Sequence, residues 1–449
     1  MRTLTDFAYS QVLVLGLARS GTAAAKLLLT SQIKVRVNDF NTKENDEIVT
    51  ELKKMGADVI TGSHPLSVLD NIELIVKNPG ISYDNPVIME AEKRNIPIIT
   101  EIELAGKLVD GSIIGITGSN GKTTTTTLVF QMLLESNQQV KVAGNIGTVA
   151  TEVAQVIEED EKLVLELSSF QLLGVPTFKP KIAVLLNVYE AHLDYHKTIE
   201  NYEQAKWNVF KNQSADDYLI YNADDKKVVE AVKQAKSILV PFSIVKQVPE
   251  GAWADQSGVY FQGEKIIAKE EIVLVGDHNI ENILAAICAA KLSGATNTGI
   301  RKVLTTFSGV KHRLQFVRKL NNRSFYNDSK ATNMLATQKA LSSFSQPTIL
   351  LAGGLDRGNE LTDLIPYLKD VRAMIVFGET AEKLCRIAEE VGIQTIIKVA
   401  DIDAAVIEAY SVSIPGDVIL LSPACASWDQ YRTFEERGDM FINKVHKLA

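Results

Sequence analysis

The chain has 449 residues, 46% of them hydrophobic and 23% charged, so we expect a soluble globular protein of several domains, at roughly 100–200 residues each. Its net charge of −8 argues against a nucleic-acid-binding surface, because neutralising phosphates needs clustered lysine and arginine. The three cysteines have no paired spacing, the N-terminus has no long apolar core and no apolar run reaches ~18 residues, so we expect a cytoplasmic protein without disulfides or a membrane span.

The first region, residues 1–102, predicts a Rossmann-like domain built on a parallel sheet. An apolar strand at 11–16 is followed by a helix from Thr22, and a second strand at 34–39 ends in an acid. Ligands of open α/β sheets bind at the carboxyl ends of the strands. The candidates expected at that edge are Arg19, Ser20, Gly21, Asp39, Asn78 and Gly80. The alternative is a set of ordinary turns, since the glycines do not match the dinucleotide-binding pattern.

A glycine-rich segment at 115–125 predicts a phosphate-binding loop in the second region, residues 103–309. It follows an apolar strand and leads into a helix, which is the layout of P-loop nucleotide-binding proteins. Backbone N–H groups and the helix N-terminus attract an anion, Lys122 adds a positive charge and Thr123 can hold Mg²⁺. The match is not strict, because Gly115 lies six residues before Gly121. The residues expected to contact the nucleotide are Gly118, Ser119, Asn120, Gly121, Lys122, Thr123 and Thr124.

One acid, Glu166, ends an otherwise apolar strand at 162–166. A buried carboxylate is costly unless it is paired or binds a metal. With a P-loop threonine in the same sheet, Mg²⁺ is the expected partner, and a buried ion pair with lysine or arginine is the alternative. Asn145 lies in a turn between two glycines and offers a ligand both a donor and an acceptor.

A histidine and a lysine follow in the same region. His192 lies among acids after a core strand at 182–187, beside the expected P-loop. The segment 198–211 has helical periodicity, and Lys206 falls on or beside its apolar stripe. A lysine in that position usually extends to solvent. A buried one has a depressed pKa and a nucleophilic neutral amine.

Two asparagines, Asn279 and Asn282, precede a helix expected at 283–292 and are three residues apart, so they share one helix face. They could hydrogen-bond a nucleotide base or cap the helix, and the spacing does not decide. Alternating residues at 251–267 predict a small antiparallel addition to a mostly parallel central sheet.

The third region, residues 310–449, predicts a second Rossmann-like α/β domain. Buried strands, such as those at 348–353 and 373–378, each lead into a polar or glycine-rich turn. Lys330 and Arg357 follow strands of this sheet and could bind an acidic substrate. Single basic residues of this kind are more often solvated surface.

Three sequence blocks together resemble the Mur ligases. They are Gly-Ile-Thr-Gly-Ser-Asn-Gly-Lys-Thr-Thr at 115–124, Asn-Asp-Ser-Lys-Ala-Thr-Asn at 327–333 and Leu-Ser-Pro-Ala-Cys-Ala-Ser-Trp-Asp-Gln at 421–430. The last block, with Phe-Glu-Glu-Arg-Gly-Asp at 434–439, resembles the D-glutamate-adding member most. The resemblance covers essentially the whole chain. It implies three domains, which bind the UDP-muramoyl substrate (1–102), ATP (103–309) and the amino acid (310–449).

The resemblance also implies a reaction, ATP-dependent addition of D-glutamate to UDP-N-acetylmuramoyl-L-alanine in peptidoglycan precursor synthesis. The substrate carboxylate attacks the γ-phosphate to give an acyl phosphate and ADP, and the amine of D-glutamate then displaces phosphate. Two Mg²⁺ sites and a carbamylated Lys206 are implied, and we expect a monomer. The implied catalytic residues are Lys122, Glu166, His192 and Lys206, and the implied metal ligands are Thr123, Glu166, His192 and Lys206.

Further contacts implied by the resemblance lie in all three regions. ATP would also contact Asn279, Asn282, Arg313 and Asp328. The UDP end would lie against the first-region candidates, and the muramoyl part against Asn145 and His192. D-glutamate would be bound by Lys330, Thr332, Arg357, Ser427 and the backbone at Phe434. Arg357 is a departure, since some family members have lysine near this position and its geometry toward an acidic side chain differs.

Two alternatives remain open at this point. Another Mur ligase or a folylpolyglutamate synthase would share the P-loop and differ in the amino acid or the acceptor. A P-loop regulatory or binding module would need no common purpose for Glu166, His192 and Lys206. Replacing Lys206 by alanine would leave such a module unaffected.

Overall fold

Apolar strands rich in valine, isoleucine and leucine form three separate β-sheets in the computed structural model, which describes residues 1–109 and 112–448. Most strand pairs are parallel and helices connect them, so the predicted α/β class is confirmed. By internal contacts the chain separates into two compact units, one made of 1–271 with 280–303 and the other of 272–279 with the chain from 304 onward. The three-domain boundaries at 102 and 309 stay a prediction.

The first sheet, in the first unit, has five parallel strands in the spatial order β3-β2-β1-β4-β5. The order reverses between β1 and β4, and ligands of such sheets bind at this point, outside the carboxyl ends of the strands. The strands are β1 (Gln11–Leu15), β2 (Lys34–Asp39), β3 (Asp58–Thr61), β4 (Leu74–Lys77) and β5 (Ile98–Ile99). The helices are α1 (Arg19–Thr30), α2 (Glu47–Lys54), α3 (Pro86–Lys93) and α4 (Glu101–Leu108), with a 3₁₀ turn at Leu66–Leu69.

The second sheet, also in the first unit, has nine strands in the order β14-β13-β12-β11-β10-β9-β6-β8-β7. Only β12, β13 and β14 pair antiparallel, which confirms the predicted antiparallel addition. The strands are β6 (Ile113–Thr117), β7 (Val140–Gly144), β8 (Lys162–Glu166), β9 (Ile182–Leu185), β10 (Tyr218–Asn222), β11 (Ile238–Ser243), β12 (Ala252–Ala254), β13 (Val259–Phe261) and β14 (Glu264–Ile267).

Eight helices belong to this stretch of the chain, and several of them are short. They are α5 (Lys122–Leu134), α6 (Ala150–Ala154), α7 (Ser169–Leu172), α8 (Leu193–His196), α9 (Ile199–Trp207), α10 (Lys226–Ala231), α11 (Asp277–Leu292) and α12 (Asn297–Thr306). Two 3₁₀ turns lie at Val232–Gln234 and Lys269–Glu271.

The third sheet, in the second unit, has six strands in the order β15-β16-β20-β17-β18-β19, with only β15 and β16 antiparallel. The strands are β15 (Gln315–Leu320), β16 (Arg323–Asn327), β17 (Thr348–Gly353), β18 (Val371–Phe377), β19 (Thr395–Lys398) and β20 (Val418–Leu421). The helices are α13 (Met334–Leu341), α14 (Ala381–Val391), α15 (Ile402–Val412) and α16 (Phe434–His446), with a 3₁₀ segment at Thr362–Tyr367.

Some predicted helix bounds are wrong. Helix α11 begins at Asp277, six residues before the predicted Ile283, and α9 ends at Trp207 rather than continuing to Lys211. The prediction followed apolar periodicity, and the polar first turn of α11 has none. Among the residues that the structure describes, every helix is too short or too polar to traverse a lipid bilayer.

Candidate active site

The loop after β6 has a backbone that only glycine adopts readily. Gly121 has a φ of +83°, and a Cβ on it would lie 2.1 Å from Oδ1 of Asn282. Gly115 lies inside β6, so the loop between strand and helix carries Gly118 and Gly121. The unusual glycine spacing therefore reflects a strand residue counted with the loop, and α5 begins directly after Gly121 at Lys122.

Asn187, two residues after β9, holds the loop from the neighbouring strand. Its Oδ1 accepts from the backbone N–H of Asn120 at 2.9 Å, and its backbone oxygen accepts from the N–H of Ser119 at 2.9 Å. The Ser119 hydroxyl lies 2.9 Å from the hydroxyl of Tyr202. Neither Asn187 nor Tyr202 is among the predicted site residues. A polar residue just beyond the strand that pairs with β6 was the available signal for Asn187.

Two lysines meet at one carbonyl group of this loop. Lys122 donates from Nζ to the backbone oxygens of Gly118 at 2.8 Å and Ser119 at 3.0 Å. Lys206 donates from Nζ to the same Gly118 oxygen at 2.8 Å. The structure therefore brings Lys206 against the P-loop, 88 residues away along the chain.

Lys206 is a buried lysine without a carboxylate partner among the described residues. Its side chain is 1% exposed, and Nζ lies 4.6 Å from the centre of the Tyr202 ring. Burial, reinforced by the charge of Lys122, lowers the pKa of Lys206 well below its ordinary value. The buried alternative for this lysine is confirmed, and burial favours the neutral, nucleophilic form of the amine.

Glu166, at the end of β8, is 2% exposed and has one oxygen without a partner. Its Oε1 accepts from Nδ2 of Asn145 at 2.8 Å, whereas Oε2 is buried and makes no hydrogen bond. We find no lysine or arginine within ion-pair distance of it in the described part of the chain, which argues against the ion-pair alternative. An orphaned buried carboxylate oxygen fits a hard cation.

His192 lies immediately before α8 with a φ of +56°, in the left-handed region. Its ring packs edge-on against Phe170 at 5.0 Å, and its side chain is exposed. Partial loss of solvent around the ring and the charges of Lys206 and Lys122 lower the pKa of His192, against the opposing effect of Asp194. The imidazole is therefore held neutral, the form that binds metal.

A metal site beside the P-loop would need ligands other than His, Cys, Asp and Glu side chains. No group of three or more His, Cys, Asp or Glu side chains suitable for a metal ion exists within 1–109 and 112–448. The predicted set contains only two residues of those types, Glu166 and His192. Thr123 lies in the first turn of α5, where its hydroxyl is half-buried, and Thr124 follows it. A carboxylate made on Lys206 would supply the missing oxygen ligands.

The first-region candidates meet at the reversal point of the first sheet. Asn78, after β4, donates from Nδ2 to the hydroxyl of Ser20 at 3.0 Å and accepts from the N–H of Gly80 at 3.1 Å. A Cβ on Gly21 would lie 1.8 Å from the backbone oxygen of Gly16, so α1 can approach β1 only with glycine there. Asn78, Ser20 and Gly80 therefore lie together at this edge, and their binding of a ligand stays a prediction.

Arg19 and Asp39 are also engaged at this edge. Asp39 accepts from the N–H of Leu17 at 2.7 Å and of Thr42 at 2.7 Å. Burial acts to raise the pKa of Asp39, but these N–H groups outweigh it and hold the pKa below its usual range. Arg19 donates to the backbone oxygen of Gly147, in the turn after β7.

The two asparagines of α11 lie inside the helix, so neither is its N-cap residue. Asn282 reaches the P-loop, where Oδ1 lies 3.4 Å from the hydroxyl of Thr125 as well as beside Gly121. Asn279, which belongs with the second unit, donates to the backbone oxygen of Val275 at 2.6 Å. The implied contact of Asn279 and Asn282 with ATP stays a prediction, and Asn282 lies against the loop expected to bind the ATP phosphates.

In the second unit, Asp328 directly follows β16 and is 8% exposed. Its carboxylate accepts from the N–H of Leu314 and from the hydroxyl of Ser422, each at 3.0 Å. Burial raises the pKa of Asp328 to about 7, although these two donors and the charge of Arg313 oppose it. Arg313 itself is exposed.

The amino-acid candidates lie on three loops of this unit. A cavity of about 100 Å³ is lined by Thr332, Arg357 and Cys425 among others. The guanidinium of Arg357 lies 5.1 Å from the ring centre of Trp428. The other candidates are Lys330, whose Nζ lies 5.2 Å from the Phe434 ring centre, and Ser427, whose hydroxyl is buried without a partner.

Arg437, which sequence reasoning missed, joins these three loops. It is fully buried and donates to the backbone oxygens of Ser329 at 2.9 Å, Cys425 at 3.1 Å and Gly353 at 3.3 Å. Burial lowers the pKa of Arg437 to about 10, so it stays charged at neutral pH. It lies in the Phe-Glu-Glu-Arg-Gly-Asp block, and nothing in the sequence signals its burial, because periodicity does not report burial there.

Comparison with known proteins identifies the family. The sequence profiles described as Mur ligase MurD-like N-terminal domain, Mur ligase middle domain, and Mur ligase glutamate ligase domain match residues 10–100, 116–290 and 312–425. A protein of Oceanobacillus iheyensis, named UDP-N-acetylmuramoylalanine--D-glutamate ligase, is 59% identical over 448 residues, with 100% of both chains covered. The chain belongs to the Mur ligase family. Proteins of the same name from Bacillus thuringiensis and Bacillus cereus are 56% identical, again over 100% of both chains.

Solved Mur ligase structures share the fold of the chain at low identity. One is MurF ligase from Thermotoga maritima in complex with ADP, at 18% identity and a TM-score of 0.57, covering 100% of this chain and 98% of that one. Another is UDP-N-acetylmuramoyl-L-alanyl-D-glutamate--2,6-diaminopimelate ligase, at 18% identity and a TM-score of 0.58, covering 100% and 95%. These similarities concern the Mur ligase fold.

Proposed function

We propose that the chain is the ADP-forming ligase that joins D-glutamate to UDP-N-acetylmuramoyl-L-alanine, in the cytoplasm, during peptidoglycan precursor synthesis. The observation that carries this is the 59% identity, over the full length of both chains, to a relative bearing that enzyme's name. The geometry supports the chemistry, because Lys122 and the buried Lys206 meet at one carbonyl group of the P-loop.

ATP would be bound by the loop Gly118–Thr124. Backbone N–H groups at the start of α5 face the phosphates in such loops, and Lys122 offsets the repulsion between two anions. The acceptor carboxylate attacks the γ-phosphorus, the bond to the β–γ bridging oxygen breaks, and ADP leaves. The amine of D-glutamate then attacks the acyl phosphate carbon, loses a proton and displaces phosphate.

Mg²⁺ would be held by Thr123 and Glu166 at one site and by His192 and Lys206 at a second. Bound there, Mg²⁺ would offset negative charge as two anions come together. The unpartnered Oε2 of Glu166 supports the first assignment. For the second, the neutral amine of Lys206 attacks CO₂ and releases a proton, and the carbamate gives the lysine the oxygen ligands that a hard cation requires.

The substrate ends would be bound by separate sets of residues. The UDP end is assigned to the edge formed by Arg19, Asp39 and Asn78. D-glutamate is assigned to Lys330, Thr332, Arg357, Ser427 and the backbone at Phe434. The orphaned hydroxyl of Ser427 supports this pocket, since a buried donor gains when a ligand carboxylate accepts from it.

Lys206→Ala is the direct test of the proposed chemistry. We expect phosphate release to fall by ~10³-fold or more, because the second cation would lose its ligand, while ADP binding by calorimetry stays within several-fold of wild type. Lys211→Ala is the matched control, since Lys211 is exposed just beyond α9. In ¹³CO₂-equilibrated protein we expect a ¹³C carbamate resonance that Lys206→Ala lacks. Unchanged turnover in Lys206→Ala would contradict the role given to Lys206. Wild-type protein that binds ADP but releases no phosphate, with ADP binding unchanged in Lys206→Ala, would favour the non-catalytic P-loop module.

A further inference from the structure

Lys77 is a second buried lysine, and the proposed chemistry makes no use of it. It is the last residue of β4, is 0% exposed and has no acidic side chain within 4 Å among the described residues. Nζ donates to the backbone oxygen of Ile81 at 2.8 Å and, at longer range, to those of Asn78 at 3.3 Å and Pro79 at 3.4 Å. The loop after β4 is therefore wrapped around this amine.

Tyr195, in α8, completes a cage around the Lys77 amine, which is otherwise formed by the backbone oxygens of the loop Asn78–Ile81. Its hydroxyl accepts from Nζ of Lys77 at 2.9 Å and donates to the backbone oxygen of Ile81 at 2.8 Å, with that of Pro79 at 3.1 Å. The Tyr83 ring centre lies 4.9 Å from Nζ on another side. Burial lowers the pKa of Lys77 to about 7, and both the neutral and charged amine can donate to Ile81 and Tyr195.

Helix α8 depends on tertiary contacts for its conformation and position. It has a single turn, and one turn of helix is not stable without tertiary contacts. Both flanking residues are non-glycine residues in the left-handed region, His192 at a φ of +56° and Lys197 at +69°, which persists only when surrounding contacts impose it. Such contacts come from Tyr195 and from His196, whose Nε2 lies 3.0 Å from the hydroxyl of Ser169.

The same cage thus fixes two parts of the proposed site. One is the loop Asn78–Ile81, whose Asn78 and Gly80 are assigned to the nucleotide end of the acceptor. The other is α8, which begins directly after His192, assigned to the reacting end. Neither Lys77 nor Tyr195 is placed to touch a reacting atom, so their role would be positioning.

We propose that Lys77 and Tyr195 form a positioning pair that couples the nucleotide-binding loop after β4 to His192, so that the nucleoside diphosphate part of the acceptor and its carboxylate are bound as one unit. This inference rests on the proposed function, because it takes the acceptor to be a nucleotide-linked sugar. It makes Tyr195 a residue whose hydroxyl affects both UDP binding and turnover.

Tyr195→Phe is the deciding variant, because it removes one oxygen atom and keeps the ring against Phe170, at a centroid distance of 4.6 Å. Tyr83→Phe is the matched control, since it keeps the ring over the same amine and its hydroxyl makes no hydrogen bond to another described residue. Lys77→Met and the double variant Lys77→Met/Tyr195→Phe complete a double-mutant cycle. The measurements are the dissociation constant of UDP by calorimetry, the kcat of phosphate release, the KM for ATP and the urea midpoint.

We expect Tyr195→Phe to weaken UDP binding by about 10-fold and to lower kcat by about 10-fold, with the KM for ATP unchanged. The double variant should be no worse than Lys77→Met, because each partner acts through the other. Tyr83→Phe should match wild type. If Lys77→Met fails to fold, Tyr195→Phe alone decides.

Three results would overturn the coupling. In the first, Tyr195→Phe has wild-type UDP affinity and wild-type kcat. In the second, only one of these two quantities falls. In the third, both fall in proportion to a lower urea midpoint, so the variant is only less stable. Absence of UDP binding to the wild-type protein would also overturn it. Wild-type protein that binds UDP but fails to release phosphate with any of the amino acids tested would instead contradict the proposed function. The effect of Tyr195→Phe on UDP binding would still decide whether the pair positions the loop after β4.

Discussion

Three basic side chains, Lys77, Lys206 and Arg437, are among the largest fully buried side chains of this protein. All three donate to backbone carbonyl oxygens of loops, and we find no carboxylate paired with any of them in the parts of the chain that are described. A buried charge without a counter-charge is destabilising. Each therefore fixes a loop at a cost in stability, and all three loops belong to the proposed substrate and nucleotide sites.

Arg437→Lys should separate the loop-joining role from simple charge. Lysine cannot reach three carbonyl groups with the planar guanidinium geometry, so unsatisfied oxygens should cost about 2–4 kcal/mol. We expect a lower urea midpoint and a KM for the amino acid raised about 10-fold, with the KM for ATP little changed. Arg386→Lys, at an exposed position of α14, serves as the control. Equal behaviour of the two variants would contradict the role given to Arg437.

Glu101 gives a pH-dependent prediction at one residue. Burial raises its pKa from 4.5 to about 7, although the N–H of Thr151 opposes this. Between these values the folded state binds more protons than the unfolded state, so its contribution to stability is lost as pH rises. From pH 5 to pH 8 the free energy of unfolding of wild type, relative to Glu101→Gln, should fall by about 2–3 kcal/mol. Urea titrations measure it.

The control for this pH effect is Glu47→Gln, an exposed acid in the first turn of α2. It should show no such relative change between the two pH values. A flat difference between wild type and Glu101→Gln would mean that Glu101 is ionised in the folded protein at pH 5.

Single residues were only partly predictable from the sequence. Lys206 was placed on the apolar stripe of a helix, which left burial and exposure both open, and its contact with Gly118 decides between them. Lys77 and Arg437 gave no signal, because one ends a strand and the other lies in the first turn of a helix, where periodicity does not report burial. Asn187 was missed because its role comes from pairing of β9 with β6, which is not local in sequence.

At the level of elements, the P-loop depends on a backbone that a side chain would break. Gly121→Ala combines a positive φ with a Cβ 2.1 Å from Asn282, whereas Gly263→Ala has the same φ of +83° and open space. We expect Gly121→Ala to weaken ADP binding by ~10-fold or more and Gly263→Ala to leave it unchanged. Calorimetry with ADP compares the two. Equal affinities would show that the loop tolerates the clash.

Strands were predicted more accurately than helices. Buried parallel strands are continuous apolar runs with turn residues after them, and β2 and β8 have the predicted bounds. Short helices such as α7 and α8 have too few residues for a period to emerge. The predicted range of α11 is too short because its first turn is polar and is stabilised by the contacts of Asn279 and Asn282.

At the scale of the whole molecule, the chain carries three sheets whose carboxyl-terminal edges hold the proposed UDP, ATP and amino-acid residues. The order of these regions along the chain was predictable, because each glycine-rich or polar turn follows its own strand. The contacts that complete each site, such as Arg437 across three loops, come from strand order and could not be read from spacing. We expect the protein to be a monomer, which light scattering would measure.

The central claim is tested most directly by ADP and phosphate release from ATP, Mg²⁺ and UDP-N-acetylmuramoyl-L-alanine, with D-glutamate, L-glutamate, meso-diaminopimelate or L-lysine added separately. We predict release that depends on D-glutamate and on none of the others. Release with a different amino acid would overturn the pocket assigned to Lys330, Thr332, Arg357 and Ser427. If no ADP or phosphate is released with any of the four amino acids, the proposed ligase activity is contradicted.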